Sequence, residues 1–129
     1  MRRSLNRPTD AELEILRVLW DSGPSTVREV HAVLSQTKPM GYTTVLKFMQ
    51  IMVEKGLIRR SEGAQRAHVY ESSVPQEQTQ RQLVGDLVGR AFAGSATELV
   101  MQALSEKRAT PQELAKIREL LDEYERGTK

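Results

Sequence analysis

At 129 residues, 39% of them hydrophobic and 28% charged, the chain has material for one small domain with an appended module and too little for a multidomain enzyme. It holds no apolar run of about 18 residues, so neither a membrane span nor direct membrane association is expected. Zero Cys excludes disulfides, thiolate metal sites and cysteine nucleophiles, and a net charge of +2 identifies no partner by itself.

The opening Met1-Arg2-Arg3-Ser4-Leu5-Asn6-Arg7-Pro8 is basic and lacks the apolar stretch of a secretory leader, so a cytoplasmic location is expected. Thr9 with Glu12 then forms the Ser/Thr-x-x-Glu box that satisfies orphan backbone donors at a helix start, ahead of Leu13, Leu16, Leu19 and Trp20. Gly23-Pro24 ends that helix, and Thr26 with Glu29 opens a second carrying Val27, Val30 and Leu34, up to about Ser35.

After Pro39 and Gly41 comes the most informative segment, a helix expected from Tyr42 to Lys55 and closed by Gly56. At about 100° per residue, Val45, Met49 and Met52 share one direction, flanked by Tyr42, Leu46 and Val53; Thr43, Thr44, Lys47 and Gln50 point the other way. Thr offers a hydroxyl and a methyl, Gln can bond two base-edge atoms, and Lys neutralises phosphate, so the outward set suits a DNA major groove. Such residues also occur on ordinary solvated helices. Ile51 falls on the outward side too, where nothing in the sequence explains it. Tyr42 is expected to pack inward and to reach a phosphate with its hydroxyl. Gly41 is read as a permissive start that lets the backbone approach phosphate.

Residues 57–61 and 66–71 read as two strands around a Glu62-Gly63-Ala64-Gln65 loop, with Arg59, Arg60 and Arg66 placed to lie along a sugar-phosphate backbone or a minor groove. A solvated hairpin with charge-guarded edges is the plain alternative. Over residues 41–70, Lys47, Lys55, Arg59, Arg60 and Arg66 exceed Glu54 and Glu62, whereas residues 75–129 are slightly acidic, so the first half is the surface expected to meet an anion. Helix, helix, helix, hairpin is the order of a winged helix-turn-helix.

Pro75 is taken as the boundary between a winged domain (1–74) and a three-helix module (75–129), giving a mostly α fold with a small β-hairpin wing. Leu83, Leu87 and Phe92 mark the first helix of the module, interrupted by Gly85 and Gly89, whose helix cost of roughly 1 kcal/mol each suggests a closely approaching backbone. Ser95 with Glu98 opens the next, carrying Leu99 and Leu104; Thr110 with Glu113 opens the last, carrying Leu114, Ile117 and Leu121. These apolar residues are scarcely enough for an independent core, and sharing one with a second copy is the expected remedy. A homodimer follows, with a monomeric bundle as the alternative.

His31 and His68 are the only histidines and stand far apart, so each is read as structural, His31 on a helix flank and His68 in the wing. No metal site or cofactor is expected. No glycine-rich phosphate loop, G-x-S-x-G elbow or H-E-x-x-H motif appears, and no catalytic residues are assigned.

Pro8 to Leu16 through Leu19-Trp20, Gly23-Pro24-Ser25-Thr26-Val27-Arg28-Glu29-Val30, Tyr42-Thr43-Thr44-Val45, Glu54-Lys55-Gly56-Leu57, Arg66-Ala67-His68-Val69-Tyr70 and Phe92-Ala93-Gly94-Ser95 together resemble the penicillinase-repressor (BlaI/MecI/CopY) family. The resemblance implies a dimeric winged-helix repressor of dyad-symmetric operators in double-stranded DNA, often near genes for antibiotic resistance, metal efflux or stress proteins. It places base contacts at Thr43, Thr44 and Lys47 and phosphate contacts on the wing arginines. Some relatives carry a basic residue where Leu46 stands, a charge that Lys47 would supply here. Several members are released by cleavage under a membrane sensor-peptidase; the matching place is Gln102-Ala103, where the cleaved members carry Asn-Phe. Copper-sensing relatives use a C-terminal cysteine cluster, which a chain without Cys lacks. The competing function is a winged-helix protein-protein adaptor that never touches DNA, with an enzyme or metal sensor third.

Overall fold

The computed structural model describes residues 7–127; the basic opening through Asn6, read above for location, lies outside them. In chain order the described residues form helices α1 (Asp10–Ser22), α2 (Val27–Leu34) and α3 (Tyr42–Lys55), strands β1 (Ile58–Glu62) and β2 (His68–Ser72), then helices α4 (Gln76–Ala91), α5 (Ala96–Glu106) and α6 (Pro111–Glu125). A mostly helical chain with one antiparallel hairpin is the fold class expected. The chain divides into two compact units between Gln80 and Arg81.

Three of the four expected capping boxes are complete. Thr9 Oγ1 accepts from the Glu12 N–H at 3.3 Å while Glu12 Oε1 accepts from the Thr9 N–H at 3.0 Å, and Thr26/Glu29 and Thr110/Glu113 repeat the exchange. The fourth is half formed: Ser95 Oγ accepts from the Glu98 N–H at 3.1 Å, but the Ser95 N–H already donates to the Phe92 carbonyl at 2.8 Å. A satisfied donor leaves Glu98 nothing to cap.

In the first unit Ile15, Leu16 and Leu19 of α1, Val30 and Leu34 of α2, Val45, Met49 and Met52 of α3, and Leu57, Ile58 and Tyr70 of the hairpin make one buried core. Each such side chain contributes on the order of 1.5 to 3 kcal/mol. The helical wheel of α3 is obeyed by Val45, Met49 and Met52, with Leu46 and Val53 half-buried beside them. Gly56 terminates α3 at φ 82°, a left-handed conformation that lets the Leu57 N–H return to the Met52 carbonyl at 2.9 Å. Leu57 and Ile58 thereby turn into the core.

β1 pairs with β2 so that Ile58 faces Ser72 and Glu62 faces His68. Both strands begin later than the sequence pattern suggests, at 58 and 68 instead of 57 and 66. The shift at the second strand has a local cause: Gln65 and Arg66 both take positive φ, 56° and 66°, which no strand accommodates. The Gly63 N–H closes this loop on the Ala67 carbonyl at 2.7 Å. A Cβ on Gly63 would collide with Val69 Cγ2, so glycine is required there by space.

One connection has no counterpart in the sequence reading. Ser25, between α1 and α2, exchanges both backbone hydrogen bonds with Tyr70 (2.9 and 2.8 Å), adding a one-residue third strand to the hairpin. Trp20 donates from Nε1 to Ser72 Oγ (3.0 Å) and to the Val74 carbonyl (3.1 Å), fastening α1 to the end of β2.

The second unit is built differently. No described residue from Arg81 onward is fully buried; Leu83, Phe92, Leu99, Leu114 and Ile117 are half-buried, and Leu87, Leu104 and Leu121 are exposed. Around a Cβ placed on Gly85 or Gly89 there is open space, so among the described residues no backbone makes the close approach that the two glycines suggested. Among the described residues no helix is long and apolar enough to cross a membrane.

Candidate functional site

Gly41 precedes α3 with φ −70°, an ordinary conformation, and supplies no side chain to cap the first turn. The first-turn N–H groups, which carry the positive end of the helix dipole, thus begin at an exposed residue. Thr43, Thr44, Lys47 and Gln50 are all exposed along the side opposite the core, and Thr43, Thr44 and Lys47 line one shallow depression with Phe48 and Ile51. The four outward residues named from the sequence therefore share one accessible face.

Tyr42 departs from the inward packing expected. It is exposed at the start of α3, where its ring meets the edge of His31 at 5.9 Å between centroids and 82° between planes. The His31 Nε2 lies 2.8 Å from the Met40 carbonyl oxygen, a hydrogen bond in which the ring nitrogen donates. His31 thus holds both the turn before α3 and its first residue, a positioning role.

The wing divides its arginines. Successive strand residues point to opposite faces, so Arg59 and Arg60 cannot address the same surface. Arg59 forms an ion pair with its cross-strand partner Glu71, which partly neutralises it, whereas Arg60 stands opposite Tyr70 on the face that carries the core. Arg66 is exposed at the tip of the hairpin.

Lys55, counted from the sequence in the basic excess of residues 41–70, is turned to another use. Its Nζ lies 2.6 Å from Glu12 Oε1 and 3.3 Å from the Arg7 carbonyl oxygen, with the Glu12 side chain only 4% exposed and that of Lys55 23%. The same carboxylate that caps α1 therefore anchors the C-terminal end of α3. A lesser brace is Lys38 to Glu14 at 2.8 Å, where the hydrogen bond and the carboxylate charge hold the ammonium above its usual pKa. Both partners are well exposed, so this pair adds little.

Two residues that sequence reasoning did not single out for the interface lie in a separate cleft at the start of α3. Arg28, in the first turn of α2, and His68, at the start of β2, line a cleft with Tyr42 and Ala67 beside the start of α3. A cation in the first turn of the bracing helix was the available signal for Arg28. Among the described residues no group of three His, Asp or Glu is placed to hold a metal ion.

The transcriptional regulator BlaI of Mycobacterium tuberculosis is 29% identical over 124 residues, covering 95% of this chain and 88% of that protein. The penicillinase repressor of Bacillus licheniformis is 22% identical over 121 residues, covering 94% of each. The crystal structure of a probable transcriptional regulator from Pseudomonas aeruginosa aligns over 95% of this chain and 87% of its own at 21% identity, with a TM-score of 0.46. The family model described as penicillinase repressor matches residues 8–123, nearly the whole length, and the chain belongs to that family of transcriptional repressors, which are not enzymes.

Proposed function

We propose that two copies of this chain, joined through α4 to α6, present their α3 helices to the two halves of a dyad-symmetric operator and so repress transcription in the cytoplasm. The observation that carries the reading is α3 itself: Val45, Met49 and Met52 are completely buried while Thr43, Thr44, Lys47 and Gln50 stand exposed on the opposite side. A rigidly held helix with a polar, cationic outer face meets the requirement for reading base edges in a major groove. Tyr42, Arg60 and Arg66 supply backbone contacts, whereas Arg59, on the other face of the wing and paired with Glu71, does not.

Lys47→Ala is expected to weaken operator binding by about 1 to 3 kcal/mol and to relax specificity at one base pair. Titration against the operator and a set of single-base variants measures both. An even loss across all duplexes would reduce Lys47 to a phosphate contact, and absence of any complex at low salt would favour a protein-protein adaptor.

Dimerisation has its support in the second unit. Its apolar side chains find no closed core within one copy, and Met101, 64% exposed, Leu121 and Tyr124 add to the uncovered surface. A partner copy would cover them and would give Gly85 and Gly89 the neighbour they lack.

The proposal extends to release by a membrane sensor-peptidase system that cuts between Gln102 and Ala103. Both residues are exposed, but they lie inside α5, where the Ala103 carbonyl accepts from the Lys107 N–H at 3.1 Å. Cleavage would therefore require this turn to open first. Immunoblots of induced cells should show two fragments divided at that bond, and an intact chain in derepressed cells removes this part of the proposal.

A further inference from the structure

We infer that Ile51 is a specificity residue of the reader helix, taking the C5-methyl group of a thymine in the operator. The inference rests on the reading of α3 given above. Ile51 is 37% exposed on the same side of α3 as Thr44 and Lys47, and it lines the depression those two residues share with Thr43 and the half-buried Phe48. An isolated exposed apolar side chain needs no explanation. This one stands among the hydroxyls, amide and cation of a surface that suits nucleic acid, with Phe48 behind it.

The occupant follows from the chemistry of the groove. Thymine alone places a methyl group at the edge of the major groove, and contact with an apolar side chain is how proteins recognise it. Phosphates wall the groove, and they favour a cationic helix face and repel an anionic one. Glu54, exposed and three residues beyond Ile51, would repel those phosphates, so the contact ends at Ile51. Ile51 is four residues past Lys47, about one helical turn or roughly 5 to 6 Å along the axis, which places its thymine one or two base pairs from the base that Lys47 reads.

The test uses the full chain. Duplexes are first selected from a randomised pool, and each thymine of the best-bound sequence is then replaced by deoxyuridine, which removes the methyl and keeps the hydrogen-bonding edge. At one thymine per half-site the native chain should bind about 3- to 10-fold more weakly after replacement. In Ile51→Ser the same replacement should have almost no effect, and Ile51→Val, the conservative change, should retain a reduced one. A uridine penalty that persists unchanged in Ile51→Ser, or its absence at every thymine, overturns the inference while leaving the repressor reading intact. So does an Ile51→Ser chain that keeps the full discrimination but sediments with altered mass, since Ile51 would then belong to a protein contact. If the native chain retains no duplex at low salt, the operator reading fails first, and Ile51 falls with it.

Discussion

Lys55→Ala is expected to destabilise the first unit by about 2 to 4 kcal/mol, and Glu12→Gln by about 1 kcal/mol or less. The asymmetry comes from what each change leaves behind. Without Lys55, a carboxylate that is 4% exposed loses its cation, while the Thr9 N–H remains as a hydrogen-bond donor. Without the Glu12 charge, Gln still serves the capping box, and the ammonium, 23% exposed, can turn to water. Urea unfolding of the two variants and of the double variant measures the difference and the coupling. Equal losses from the two single changes would show that the ion pair acts as a surface pair and that the cap carries the stability. Because Lys55 is the last residue of α3, the same loss should appear in DNA affinity before it appears in helix content.

The second large effect concerns assembly. Replacing Met101 and Leu121 together by Glu should convert a dimer to a monomer and weaken operator binding by about 100-fold or more, far beyond the effect of Lys47→Ala. Joining two heads turns the second half-site contact into an intramolecular event, and separating them forfeits that effective concentration. Glutamates at these positions would bring like charges into a desolvated apolar contact. Analytical ultracentrifugation and binding to full and half operators follow the two consequences separately. A variant that stays dimeric, or a monomer that binds the full operator as tightly as the native chain, contradicts this account of the second unit.

Elements whose cause is local were readable in the chain. Gly41 and Gly56 bracket α3 at the residues expected, and Thr9, Thr26 and Thr110 open their helices through complete boxes. What escaped reading depends on residues distant in sequence or on backbone angles. Lys55 entered only the charge balance of residues 41–70, because Glu12, its partner, is 43 positions away. Arg59 looked like its neighbour Arg60 until strand register set it against Glu71. The positive φ of Gln65 and Arg66 has no compositional signature, since neither residue is one that turns favour. Ser25 bridges Tyr70 alone, and a single paired residue has no periodicity. On the candidate interface, the face of α3 was legible from its wheel, while Arg28 and His68 beside Tyr42 needed the tertiary structure.

The chain has one Trp, and its indole N–H is held by Ser72 and Val74 at the end of the hairpin. The sole indole therefore lies in the head, and the tail, whose one tyrosine is Tyr124, has none. Emission from Trp20 should shift to the red when the head melts, and should stay silent when only the tail loosens. Melting of the head can thus be followed by light alone, without a label.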